Sequence, residues 1–142
     1  MHRDSNCIFC RIVSGDAPCA RVHEDALTLT FLDIFPVSRG HTLIITKEHF
    51  SNVFEASGDA LAAVAMISRR IALAIRTELA PEGLGVFQLN GVAAGQTIFH
   101  YHMHCLPRAP GEAFLLHGRT RAADSDLQEV AMRLAAAVAA QR

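Results

Sequence analysis

From His100 to Cys105 the chain alternates histidine with other residues: His100, Tyr101, His102, Met103, His104, Cys105. Successive side chains of a strand point to opposite faces. This run therefore reads as a strand with three imidazoles on one face and Tyr101, Met103 and Cys105 against a core on the other. Along such a face the imidazoles recur roughly every 6–7 Å, set by the strand rise. A lone core histidine needs no such pattern. Three readings are open from these residues alone: a polar face on an edge strand, a catalytic metal held by two or three of the histidines, and nucleophilic catalysis by one of them. Neither carboxylates nor further histidines lie close by in sequence to complete a catalytic metal site.

The surrounding pattern supplies a sheet for that strand. Residues 19–23 and 26–32 read as two short strands around the turn Glu24-Asp25, with Leu27, Leu29 and Phe31 alternating with Thr28 and Thr30. A turn over 35–40, punctuated by Pro36 and Gly40, leads into a β-branched strand over 41–46. From Ser57 the period lengthens: Leu61, Val64, Ser68, Ile71, Ile75 and Leu79 mark a long helix, capped by Ser57 and stopped by Pro81 and Gly83. Strands over 84–89 and 97–106 follow, joined by a loop with Gly91 and Gly95. A last helix begins near Asp124 and runs to about Ala140. The expected class is α+β: an antiparallel sheet carrying one long helix, with a second helix at the C-terminus.

At 142 residues the chain has the size of one domain. A net charge of −1 argues against broad electrostatic binding to nucleic acid or to a membrane. A few backbone N–H groups can still hold one phosphate. No apolar stretch reads as a signal peptide or a spanning helix, so a cytoplasmic location is expected. Cys7, Cys10, Cys19 and Cys105 then read as metal ligands or free thiols rather than disulfides.

The segment Gly95-Gln96-Thr97-Ile98-Phe99-His100-Tyr101-His102-Met103-His104-Cys105-Leu106 resembles the signature of the histidine-triad (HIT) family. Four more segments occur in order and at familiar spacing: Phe31-Leu32-Asp33-Ile34, Gly40 to Ile45, Lys47-Glu48-His49 and Gln88-Leu89-Asn90-Gly91. Together they cover most of residues 7–108, with 109–142 left as a C-terminal tail and helix. Thr46 stands where a proline is common, and Leu89 where asparagine is frequent.

The resemblance implies a HIT-like fold with a five-stranded antiparallel sheet, and hydrolysis or transfer at the α-phosphorus of a nucleotide. By that analogy His102 attacks phosphorus and forms a covalent nucleotidyl-histidine, its other nitrogen held by the His100 carbonyl. His104, Gln96 and Thr97 would meet the phosphoryl oxygens, with Asn90 and Gly95 closing the loop around them. Asp33 would accept the ribose hydroxyls, with a plain turn residue as its other reading. Ile8, Phe9 and Ile34 fall at the walls of the base pocket, although core packing explains them almost as well.

Cys7-x2-Cys10 can supply two corners of a zinc tetrahedron, or be two free thiols. The resemblance adds His49 and His100 as the other ligands of a closed, structural zinc site. It further implies a homodimer and a purine nucleoside phosphoramidate or dinucleoside polyphosphate as substrate. A nucleotidyl transferase and a nucleotide-binding sensor are the alternatives. His2, His23, His41 and His117 read as surface or packing residues. Arg108, Arg119 and Arg121 read as solvated, with contact to a polyphosphate as the other possibility.

Overall fold

The structure is a computed structural model and describes residues 1–114 and 119–142; His117 lies outside the described residues. Its elements are α1 (Ile8–Ser14), β1 (Arg21–Glu24), β2 (Thr28–Leu32), β3 (Thr42–Thr46), α2 (Gly58–Leu79), β4 (Gly83–Phe87), a 3-10 turn (Val92–Ala94), β5 (His102–Arg108) and α3 (Asp124–Ala139). The five strands form one antiparallel sheet in the order β1-β2-β3-β5-β4. The expected α+β architecture is present.

Register sorts the sheet into two faces. Leu43 pairs with His104 and Ile45 with His102, so these four share a face with Leu29 and Phe31. Phe9 and Ile12 of α1 pack there. The opposite face carries Ile44, Met103 and Cys105 and is covered by α2 and α3, through Val64, Ile67, Ile71, Val130 and Leu134. With both faces covered, every residue of β2 and β3 is buried. The threonines that alternate with Leu29 and Phe31 therefore lie inside the core rather than in water, and the hydroxyls of Thr28 and Thr30 have no hydrogen-bond partner among the described residues.

Three features differ from the sequence reading. The histidine strand starts at His102, not at residue 97, and runs on to Arg108. Residues 97–101 leave the ladder because their polar groups are tied elsewhere: the Tyr101 N–H bonds to the Phe50 carbonyl at 2.7 Å, and the His100 ring turns towards the N-terminal segment. Helix α1 goes unseen in the sequence because it is one short run. Its punctuation is nonetheless there: the Cys7 sulfur accepts from the Cys10 N–H, and Gly15, at φ 87°, closes the C-terminus. Finally, Ile67, which the apolar stripe given above for α2 omits, is buried in the core that α2 shares with α3.

Gly40 shows how tightly the turn into β3 is fitted. It has φ 91°, and a Cβ there would overlap Leu79 Cδ1 and lie 3.3 Å from Pro107 Cγ. Gly15 has a similar φ with open space around it. Gly15→Ala should therefore cost about 1 kcal/mol from backbone conformation, and Gly40→Ala about 2–4 kcal/mol with the added overlap. Urea unfolding of both variants checks this, and equal losses would contradict it.

Candidate functional site

The His102 ring is buried beside β3, with Phe9 edge-on to it at a centroid distance of 5.2 Å. Its Nδ1 lies 2.6 Å from the His100 carbonyl oxygen. A carbonyl only accepts, so Nδ1 carries the proton and Nε2 keeps its lone pair. Burial pushes the pKa of His102 below its ordinary value, against the opposing pull of that carbonyl and of Asp33, so the ring is neutral at neutral pH.

His104 has the opposite tautomer, and the reason is His41. The His41 Nδ1 receives the Val37 N–H at 3.1 Å and the Arg119 guanidinium at 3.3 Å, both of which can only donate. His41 Nε2 must then hold the proton and donate it to His104 Nδ1, 2.9 Å away. That leaves Nε2–H as the remaining donor of His104. Burial drives His104 from 6.5 to about 3, helped by His102, His41 and Arg119, and drives His41 to about 4. Phe87 stacks on the His104 ring at 4.6 Å and 13°, which fixes its plane.

His102, His104, Gly95, Gln96, Thr97, Leu89 and Arg119 line one cavity of about 20 Å³, room for a single water. Thr97 is exposed, whereas Gln96 is buried and engaged. The Gln96 amide donates to the Ser51 and Ile98 carbonyls and accepts from the Gly91 N–H, and its own N–H bonds to the Gly91 carbonyl. Asn90 likewise holds the Val53 N–H and the Gln88 amide. Both residues shape the loop in this structure and leave its outward face to Gly95 and Thr97.

Asp33 is a turn residue with a second set of contacts across the fold. One carboxylate oxygen accepts the Phe35 N–H at 2.8 Å, as a turn residue would; the other faces Arg119 at 3.3 Å and His41 Nδ1 at 3.8 Å. Ile8 and Ile34 are exposed, while Phe9 is a core residue that also walls the histidines.

His100 stands apart from His102 and His104. Its Nδ1 lies 3.3 Å from Cys7 Sγ, 3.5 Å from Cys10 Sγ and 3.3 Å from His49 Nδ1, and Cys10 Sγ lies 3.3 Å from His49 Nδ1. The four donor atoms all fall within 4.8 Å of one another. A zinc tetrahedron with bonds of about 2.05 Å to nitrogen and 2.3 Å to sulfur has edges of roughly 3.3–3.8 Å, so the cluster fits that ion. The His100 Nε2–H donates to the Thr46 carbonyl at 2.6 Å, which presents Nδ1 to the cluster. With both ring nitrogens engaged, His100 cannot join His102 and His104 around one catalytic metal. All four cysteines are thiols, and burial pushes Cys105 up to about 12.

Two residues of the site escaped the sequence reading. His41, read as a surface or packing residue, is fully buried and bonded to His104, and alternation with Leu43 and Ile45 already placed it on the face of the histidines. Arg119 is 18% exposed and paired rather than solvated. No local pattern marks it, since its partner Asp33 is 86 residues away.

The sheet, the run of histidines at the head of β5 and the small cavity that His102 and His104 line define a histidine-triad protein. The chain belongs to the HIT family: the HIT domain matches residues 14–111. It is 45% identical over 139 residues to the Bacillus subtilis protein Hit, covering 95% of this chain and 96% of that one. It is 42% identical over 109 residues to the Schizosaccharomyces pombe adenosine 5'-monophosphoramidase hnt1, covering 77% of this chain and 78% of the relative. Among solved structures, a zinc-bound histidine triad family protein from Mycobacterium smegmatis superposes with a TM-score of 0.82 at 41% identity, covering 94% of both chains.

The neutral pair His41–His104 makes stability depend on pH. Both pKa values fall on folding, so below 6.5 the unfolded chain binds protons that the native state refuses. Stability is full above 6.5 and is lost as pH falls towards 4 and 3. Each histidine contributes a slope of up to about 1.4 kcal/mol per pH unit in that window. Urea unfolding between pH 7 and 5 should show His41→Gln with a slope shallower than wild type by about that amount. Identical slopes would contradict the neutral assignment.

Proposed function

We propose that this protein is a nucleotide hydrolase acting at the α-phosphorus of purine nucleoside phosphoramidates or dinucleoside polyphosphates, through a nucleotidyl-His102 intermediate. The observation that carries the reading is the 2.6 Å bond from His102 Nδ1 to the His100 carbonyl. It leaves a neutral imidazole with its Nε2 lone pair free beside the cavity that His102 lines with Thr97 and His104.

In the first step Nε2 attacks phosphorus and forms a P–N bond. The bond to the leaving group breaks, and that group departs with the electron pair and takes up a proton. The cationic ring that results keeps its Nδ1–H on the His100 carbonyl. His104, as an Nε2–H donor, and the Thr97 hydroxyl and N–H face the phosphoryl oxygens where charge accumulates. In the second step water attacks phosphorus and gives up a proton to solvent, the P–N bond breaks, and its electron pair returns to Nε2 as the nucleoside monophosphate leaves. Gln96 and Asn90 act here by holding the loop that carries Gly95 and Thr97. Asp33 accepts the ribose hydroxyls, and Ile8, Phe9 and Ile34 form the apolar wall against the base.

Cys7, Cys10, His49 and His100 would hold zinc. Four protein ligands close the site, so the ion ties the N-terminal segment to the sheet and keeps His100 in place. The outer edge of β4, with Val86 45% exposed, and the exposed Met66 of α2 support a homodimer formed through sheet edge and helix. Free thiols fit a cytoplasmic setting. Among the described residues no helix is long and apolar enough to cross a membrane.

Turnover of a fluorogenic adenosine phosphoramidate and of diadenosine tetraphosphate should fall more than about a thousandfold in His102→Ala. EDTA should lower the melting temperature, while the initial rate of still-folded protein should fall far less than in His102→Ala. Full activity in the mutant would overturn the assignment. Tight nucleotide binding without turnover by wild type would favour a sensor instead.

A further inference from the structure

Arg119 sits where the mechanism above gives it no task. It is the only permanently charged cation lining the cavity of His102, His104 and Thr97 among the described residues. The other arginines of the tail are engaged elsewhere: Arg108 with Glu112, and Arg121 with Asp124. The backbone around Arg119 is anchored to the site, because the Ala122 N–H bonds to the Ile34 carbonyl at 2.8 Å. Tail and site also meet at Phe114, which packs edge-on against Phe87, the ring stacked on His104.

We propose that Arg119 is a phosphate-binding residue held on Asp33 until a nucleotide arrives, and that it selects substrates carrying phosphates beyond the α-phosphate, the dinucleoside polyphosphates, over phosphoramidates with uncharged leaving groups. The proposal rests on the hydrolase reading above. Three observations carry it. The Arg119–Asp33 contact is 3.3 Å, longer than the roughly 2.7–2.9 Å of a strong charge-assisted bond. The Asp33 oxygen that faces Arg119 is the one the Phe35 N–H does not use, so ribose hydroxyls that seek it compete with the guanidinium. The cavity as it stands admits one water, so a phosphate entering it displaces part of its lining, and Arg119 is the one charged side chain there among the described residues.

These facts couple two events. Ribose hydroxyls that donate to Asp33 weaken its hold on the guanidinium. A polyphosphate then offers that guanidinium a planar, bidentate partner, which the single carboxylate oxygen does not. The α-phosphate needs no such cation, because the neutral donors of His104 and Thr97 already face it. Each further phosphate adds charge that those neutral groups do not meet.

The test uses the full chain with Arg119→Ala and Arg119→Lys. In Arg119→Ala, kcat/KM for diadenosine tetraphosphate should fall on the order of 30–100-fold, and that for an adenosine phosphoramidate several-fold at most. Arg119→Lys should recover part of the loss for the polyphosphate. Titration calorimetry provides a readout that does not depend on turnover: wild type should bind ADP at least about tenfold more tightly than AMP, and Arg119→Ala should lose that preference. Equal losses for both substrates would make Arg119 merely structural. A gain for both would make it a plug. An ADP preference that persists in Arg119→Ala would overturn the proposal by itself. Failure of the hydrolase reading shows separately, as turnover unaffected by His102→Ala or as no turnover by wild type.

Discussion

The His100 carbonyl is where the two halves of this site meet. Its oxygen fixes the tautomer of His102 at 2.6 Å, while the ring of the same residue lies among Cys7, Cys10 and His49. Thr46, the last residue of β3, holds that ring from the other nitrogen. The peptide that orients His102 is therefore secured by its own side chain, to a cluster whose first two members bracket the start of α1. Anything that loosens the N-terminal segment acts directly on the position of one hydrogen-bond acceptor.

A second chain of hydrogen bonds runs from Val37 through His41 to His104 and sets the opposite tautomer there. Two histidines two residues apart on one strand face thus present different chemistry, one a lone pair and the other an N–H. The difference comes from what stands behind each ring rather than from the rings themselves. Burial keeps all three imidazoles neutral, and neutrality is what allows each to have a single defined proton. His102 and His104 line a small cavity together with Arg119.

The sequence carried much of this, and unevenly. Period-two alternation placed His102 and His104 on one face because a strand buried on both sides leaves its side chains no other arrangement. The long helix was legible from its apolar stripe and from the Ser57 cap. Alternation failed at residues 97–101, where the chain is governed by hydrogen bonds to Phe50 and Thr46 and by the pull of His100 towards the cysteines. Those partners are 51 and 54 residues away from Tyr101 and His100 and leave no local trace. His41 was within reach, since it shares parity with Leu43 and Ile45. Arg119 was not, because its meaning comes from Asp33 across the fold.

The central claim is that phosphorus passes through a bond to His102, and stereochemistry tests it most directly. An adenosine 5'-phosphorothioate ester or amidate of known configuration, chiral at the α-phosphorus, would be hydrolysed in ¹⁸O-labelled water and the product's configuration determined. Two successive in-line displacements, at His102 and then at water, predict net retention. Net inversion would mean that water attacks phosphorus directly, and would contradict the account.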